Sequence, residues 1–241
     1  MSAMTTVAEL DGYARDYYLG RSAADLDLEE RQQQLSIARL APFLHGRILE
    51  LGFGTGQMTA GLLGAGFDTA VVEGSPLLAR EARRRHPGLT VHEGLFETFV
   101  PPQPYDTLLA AHVFEHVDDP RALLAHLHGW LVPGGTLIAI VPNAASLHRR
   151  LAVLMGIQER LDDLSRRDRT VGHRRVYTPE ELRAELAGAG FTPRETLGWF
   201  LKVVPNSMML DWPPALIDAL FAVSEQLHPR ELANIALVAR R

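Results

Sequence analysis

The 241-residue chain has no cysteine, which excludes disulfides, thiolate metal sites and a cysteine nucleophile. It is almost without lysine: Lys202 stands alone among arginines. Positive charge is in deficit, with 24 Lys and Arg against 29 Asp and Glu, a formal net charge of −5. Binding to nucleic acid draws largely on neutralised phosphates, so no nucleic-acid partner is expected. No apolar run is long enough to span a bilayer, so no membrane partner is expected either. The opening residues, MSAMTTVAELDGY, lack the basic and apolar regions of a secretory leader. With the missing cysteines, this points to a cytoplasmic protein. Internal repeats and low-complexity linkers are also absent, so 1–241 reads as a single domain.

What is present is a rhythm. Apolar residues at three- and four-residue spacings predict helices over 5–18 and 28–44. Short apolar runs then alternate with helical stretches. Strands are expected at 48–51, 69–72, 90–92, 107–110, 136–141, 191–199 and 235–239, with helices at 57–64, 75–85 and 119–131 among them. Ser75-Pro76 and Asp119-Pro120 are helix starts, and Thr178-Pro179-Glu180-Glu181 is a capping box. Pro133-Gly134-Gly135 reads as a turn ahead of strand five. Apolar strands alternating with helices imply an α/β fold, a doubly wound, mostly parallel sheet covered on both faces. The last strand is expected to be antiparallel, at the edge beside strand six. The rhythm breaks between Ala144 and Val176, which reads as a helical insertion after strand five.

The stretch "RILELGFGTGQ", Arg47 to Gln57, carries the first functional signal. A glycine-rich turn after the first strand lies where open α/β sheets bind ligands. Its pattern is Gly52-x-Gly54-x-Gly56, with Gln57 where a dinucleotide-binding turn places its third glycine, and it lacks a P-loop ending. A nicotinamide cofactor is therefore not expected. Glu73 ends strand two, 21 residues after Gly52, where a carboxylate can accept hydrogen bonds from ribose hydroxyls. Close backbone approach and a ribose clamp without a phosphate cradle fit a nucleoside with a non-phosphate tail.

Glu50-Leu51-Gly52-Phe53-Gly54-Thr55-Gly56, followed by Glu73-Gly74-Ser75, resembles the class I S-adenosylmethionine-dependent methyltransferases. "YDTLLAAHVFEHVDDP" and "LVPGGTLIAIVPN" are similar to later motifs of the small-molecule branch that includes the ubiquinone-pathway O-methyltransferases. The resemblance implies a seven-stranded Rossmann-like sheet, S-adenosylmethionine as cofactor and S-adenosylhomocysteine as product. It divides the domain into an N-terminal helical cap (1–45), a cofactor-binding core (46–143), an insertion acting as substrate lid (144–177) and the remainder of the sheet (178–241). It also implies that Gly52, Gly54 and Gly56 pass around the methionine part, Glu50 serves its amino group and Glu73 holds the ribose. Gly74, Ser75, Leu95 and Phe96 would border the adenine. Relatives often carry an Asp where Leu95 stands, so recognition of the adenine amino group falls to Glu97, to a backbone carbonyl or to apolar contact.

The acceptor side rests on less specific signals. His112, Glu115 and His116 would share one face if helical. Three readings stay open: a general base at His116 or His112, a divalent metal site, which is not the preferred reading, and a structural tie. An inverted zinc-peptidase motif is rejected because the stretch follows a buried strand inside a complete cofactor-binding series. The insertion holds eight arginines against four acidic residues. In "VGHRRVY", His173 is a second candidate base, and Arg174, Arg175 and Tyr177 are candidate contacts to an anionic acceptor. Tyr13 and Tyr17 share a face of the first helix and are expected over substrate and cofactor; His112 is also placed beside the cofactor. "FLKVVPNSMMLDWPP" reads as pocket wall, subunit contact or core.

The expected function is methyl transfer to oxygen or nitrogen of a small, anionic metabolite, by a monomer or homodimer. Transfer to an activated carbon and a non-catalytic cofactor binder are the alternatives.

Overall fold

The computed structural model describes residues 6–20 and 23–241, the side chains of 23–29, 167 and 207 excepted. Thr5, where the sequence starts its first helix, lies outside the described residues, as does the side chain of Arg167.

The expected strands all form, lengthened by a residue or more at most ends. They are β1 (Arg47–Leu51), β2 (Asp68–Glu73), β3 (Thr90–Glu93), β4 (Tyr105–Ala111), β5 (Leu131–Pro142), β6 (Thr192–Trp199) and β7 (Asn234–Arg240). They join one sheet in the order β3-β2-β1-β4-β5-β7-β6. The pairs among the first five are parallel, and β7 runs antiparallel to both β5 and β6. The expected antiparallel strand thus sits one place in, with β6 outermost. Chain order reverses between β1 and β4, which opens a crevice at the carboxyl ends of these strands.

Successive side chains of a strand point to opposite faces, and two cores follow from that. Leu49, Leu108, Leu137 and Leu237 face one core with Leu123, Leu124 and Leu127 of α5 (Pro120–His128). Ile48, Leu109 and Ile138 face the other, with Leu40 and Leu62. Those two belong to α2 (Ala23–Leu40) and α3 (Gln57–Gly64). Phe200 and Met209 are buried in this second core, and Phe200 stacks on Phe221 with centroids 4.9 Å apart. The Met-rich stretch that contains them therefore contributes to the core.

Helix starts behave as their sequences imply. Ser75 Oγ accepts from Leu78 N ahead of α4 (Pro76–Arg85), and Asp119 accepts from Ala122 N. Pro133-Gly134-Gly135 lies inside β5 rather than before it. A register shift between Tyr105 and Thr107 absorbs the extra residues.

Two departures bear on function. The first helix is α-helical only over α1 (Val7–Tyr13); Ala14–Tyr18 is a π turn, closed by Leu19 N donating to Ala14 O at 2.9 Å. The insertion folds as α6 (Leu147–Leu154), a loop and α7 (Arg166–Thr170). A strap then returns past β4 to α8 (Pro179–Gly188), and α9 (Pro214–Ser224) follows β6.

Candidate active site

A cavity of about 240 Å³ opens at the crevice between β1 and β4. Its floor is the glycine turn. Gly52, Gly54 and Gly56 have φ of +84°, +53° and +78°, a region where side chains other than glycine are strained. Gly52 and Gly54 line the cavity. Gly56 does not: it caps α3 from below, and a Cβ there would collide with the Phe53 ring. Its place is to let the turn close.

Two buried carboxylates face this floor. Glu73 is 6% exposed; its oxygens accept from Phe53 N at 2.8 Å and Ser75 N at 2.7 Å. Burial pushes its pKa up, against the pull of the Ser75, Phe53 and Gly74 amides. Each oxygen keeps a second lone pair for a donor. Glu50 is 2% exposed and accepts from Thr59 Oγ1 at 2.6 Å. Burial pushes Glu50 up to about 8, and the nearby Glu73 charge adds to the rise. Among the described residues, no positive group offsets this rise. Gly74, Ser75, Leu95, Phe96 and Glu97 complete this end of the wall.

These residues fit S-adenosylmethionine. The cavity offers hydrogen-bond acceptors and two buried acidic groups, which suit ribose hydroxyls and an ammonium that draws out the charged carboxylate. The glycine turn leaves room where any Cβ would intrude. Glu73 would hold the ribose and Glu50 the amino group.

The opposite end carries the histidines. Residues 112–116 form a turn rather than a helix, closed by His116 N donating to Val113 O at 3.0 Å. The shared helical face expected for His112, Glu115 and His116 therefore does not exist. His112 adopts φ +58°, unusual for a side-chain-bearing residue, and its Nδ1 lies 2.9 Å from Glu115 Oε1. Glu115 is fully buried; burial opposes its charge, yet His112, His116 and His173 hold its pKa below the ordinary value. His112 and His116 both line the cavity. Burial pushes the His116 imidazole down to about 4, so it is neutral near pH 7.

His173 stands behind His116, with ring centroids 4.8 Å apart, and is not part of the cavity wall. Ligand-capable atoms of Glu115, His116 and His173 lie within 4.8 Å of one another. This is the group among the described residues able to approach a metal, and it replaces His112 of the expected trio with His173.

The strap reaches the wall with Val171, Gly172 and Arg174. Arg174 pairs with Asp118 at 2.5 Å and donates to His116 O at 2.9 Å, its side chain 40% exposed. Arg175 points away. It donates to the carbonyls of Phe114 and Val117, at 3.1 and 2.6 Å, and of Asp118 at 3.0 Å, bracing the histidine turn from behind. Tyr177 is also outside the wall: it is 3% exposed, donates to Glu185 Oε2 at 3.1 Å, and burial raises its pKa. The expected two-arginine clamp with Tyr177 is thus reduced to Arg174.

Tyr13 lines the cavity, but Tyr17 does not; Tyr18 takes its place. A π turn brings residues five apart onto one face, so Tyr18 aligns with Tyr13. Gly172 was not expected either. With φ +83° it lies under Tyr13, whose ring would be 2.9 Å from a Cβ there. The N-terminal segment and the insertion therefore meet over the cavity.

A family model for a methyltransferase domain matches residues 27–196. The chain belongs to this family. It is of the class I, S-adenosylmethionine-dependent type. Trans-aconitate 2-methyltransferase of Methylobacterium nodulans is 33% identical over 126 residues, covering 51% of this chain and 45% of the relative. The ubiquinone biosynthesis O-methyltransferase of Azorhizobium caulinodans is 30% identical over 166 residues, covering 66% of this chain and 64% of the relative. The chain thus spans less than half the length of the first of these. Among solved structures, the Burkholderia thailandensis 1,6-didemethyltoxoflavin-N1-methyltransferase superposes with a TM-score of 0.60. Its identity is 18%, over 100% of this chain and 92% of that one, a likeness of fold. Among the described residues of this methyltransferase-family chain, no helix is long and apolar enough to cross a membrane.

Proposed function

We propose that the chain methylates oxygen or nitrogen of a small-molecule acceptor, with His116 removing the acceptor proton. The observation that supports this most is one cavity that joins the acidic pair Glu50 and Glu73 at one end to an unprotonated His116 at the other. S-adenosylmethionine, when bound, supplies a methyl group already activated on a sulfonium. The protein then has three tasks: alignment, exclusion of water and acceptance of a proton. Glu73 and Glu50 fix the cofactor end. Tyr13, Tyr18 and the strap at Val171–Gly172 cover the cavity. His112 and Glu115 shape the wall beside His116.

An anionic acceptor rests on Arg174 at the cavity mouth. The reading calls for no nucleic acid or membrane, and fits a monomer or homodimer in the cytoplasm. The test is S-adenosylhomocysteine release from S-adenosylmethionine with a panel of small carboxylates, alcohols and amines, trans-aconitate included. Turnover that His116→Ala lowers at least tenfold supports the reading. Tight cofactor binding without turnover on any acceptor would favour the non-catalytic binder, and no binding at all would remove both.

A further inference from the structure

Behind the cavity wall runs a buried polar chain, outside the cavity lining. Arg149 of α6 is 5% exposed and donates to Leu161 O at 3.2 Å, Asp163 O at 2.9 Å and Asp168 Oδ2 at 2.7 Å. Asp168 is 8% exposed; its Oδ2 also takes the Ser165 amide at 2.8 Å, and its Oδ1 lies 2.9 Å from His173 Nδ1. The His173 amide donates to the Asp168 carbonyl at 2.8 Å. One residue therefore holds His173 by both main chain and ring. Burial opposes the Asp168 charge, but the bonds from His173 and Ser165 and the Arg149 charge hold its pKa well below the carboxylate range.

An acceptor-only carboxylate at Nδ1 requires the proton on that nitrogen. His173 is thereby fixed in tautomer and in orientation. Its ring meets His116 at 76°, an edge-on contact between the insertion and the turn after β4. Otherwise His116 faces His112, Glu115 and the Gly172 backbone. Among the described residues, the insertion thus reaches the His116 ring through the His173 side chain and the Gly172 backbone.

We propose that Asp168 and His173 are positioning residues for His116: Asp168 locks the His173 ring, and that ring holds the His116 imidazole aimed into the cavity. The insertion then serves the histidine site as well as covering it. This rests on His116 being the proton acceptor proposed above.

The test uses the full chain with ring-¹⁵N-labelled histidines, saturated with S-adenosylhomocysteine. His116→Ala and His173→Phe assign the two rings. In the wild type His173 should appear as the Nδ1–H tautomer. Asp168→Asn should shift His173 toward the other tautomer and also displace the His116 ring signals, with the cofactor-product Kd changed less than about twofold. Should Asp168→Asn fail to fold, His173→Phe still serves, since it keeps a ring against His116 but severs the tie to Asp168. It should move the His116 signals too. Unchanged His116 signals in a folded variant would overturn the proposal, as would a wild-type His173 protonated on Nε2 alone. If His116→Ala leaves methyl transfer intact, the base assignment fails instead, and the spectra show that separately.

Discussion

The ring of Tyr18 lies against the glycine turn: a Cβ placed on Gly54 would sit 3.5 Å from Tyr18 Cε1. Tyr17 meets Tyr18 edge-on at 5.1 Å but stays off the cavity wall. Tyr18→Ala should weaken S-adenosylhomocysteine binding about tenfold, ~1.4 kcal/mol for a lost aromatic contact. Tyr17→Ala should change it less than about twofold. Titration calorimetry decides, and equal losses would mean that the π turn does not select between the two.

Glu73→Gln tests the ribose assignment. Glutamine keeps the size but sets an amide nitrogen against the Phe53 or Ser75 N–H, so the turn is damaged as well as the acceptor. Affinity for S-adenosylhomocysteine should fall by about 1–3 kcal/mol, the range for hydrogen bonds to a charged group. A drop in Tm should accompany it. Unaltered affinity would refute the assignment.

Glu50 gives a pH signature. Its folded pKa, about 8, lies above the ordinary 4.5. Its neutral form is therefore favoured by folding: the stabilisation is complete below pH 4.5 and is lost as pH rises through 8. A ligand ammonium beside it favours the charged form, so binding near pH 7 should release protons. Calorimetry in two buffers of different ionisation enthalpy should give different apparent binding enthalpies, and Glu50→Gln should abolish the difference. Buffer-independent enthalpies for the wild type would rule out the coupling.

The neighbouring arginines should separate. Arg175→Ala removes three bonds to the histidine turn and should lower Tm by several degrees. Arg174→Ala should leave Tm nearly unchanged and raise the acceptor KM more than the cofactor KM in the acceptor assay. If Arg175→Ala acts on acceptor KM without loss of Tm, its placement behind the turn is wrong.

Chelation addresses the metal reading. Atoms of Glu115, His116 and His173 spread over up to 4.8 Å, whereas a tetrahedral ion with bonds of about 2.1 Å holds ligands about 3.4 Å apart. His173 Nδ1 is already engaged with Asp168. Turnover should survive treatment with EDTA. Loss that a divalent ion restores would establish a metal requirement.

The cofactor half was legible because its signals are local. Gly52, Gly54 and Glu73 sit at fixed offsets from strand ends, and strand periodicity places those ends. Gly56 shared the motif, yet its space is taken by Phe53, a contact the spacing does not encode. The acceptor half depends on long-range closure. His173 meets His116 only after the insertion folds back, and Arg175 meets the carbonyls of 114–118 by the same route. Helical spacing misassigned Tyr17 because a single π turn shifts every later residue. It misread residues 112–116 because five residues after a strand can turn as readily as coil into a helix. The Gly172 contact with Tyr13 had one trace in the sequence, a glycine beside His173 in an otherwise bulky strap.

The order of the sheet also bears on how the molecule is made. Among the described strands, β7 is the sheet partner of β6, and the ribosome delivers it some 35 residues later. During synthesis β6 emerges with neither edge satisfied, while the five parallel strands before it can already be joined. The insertion of β7 between β5 and β6 is therefore the step that ties the outermost strand to the sheet, and a chain interrupted before β7 would carry β6 as an unpaired ribbon of the kind prone to unwanted pairing.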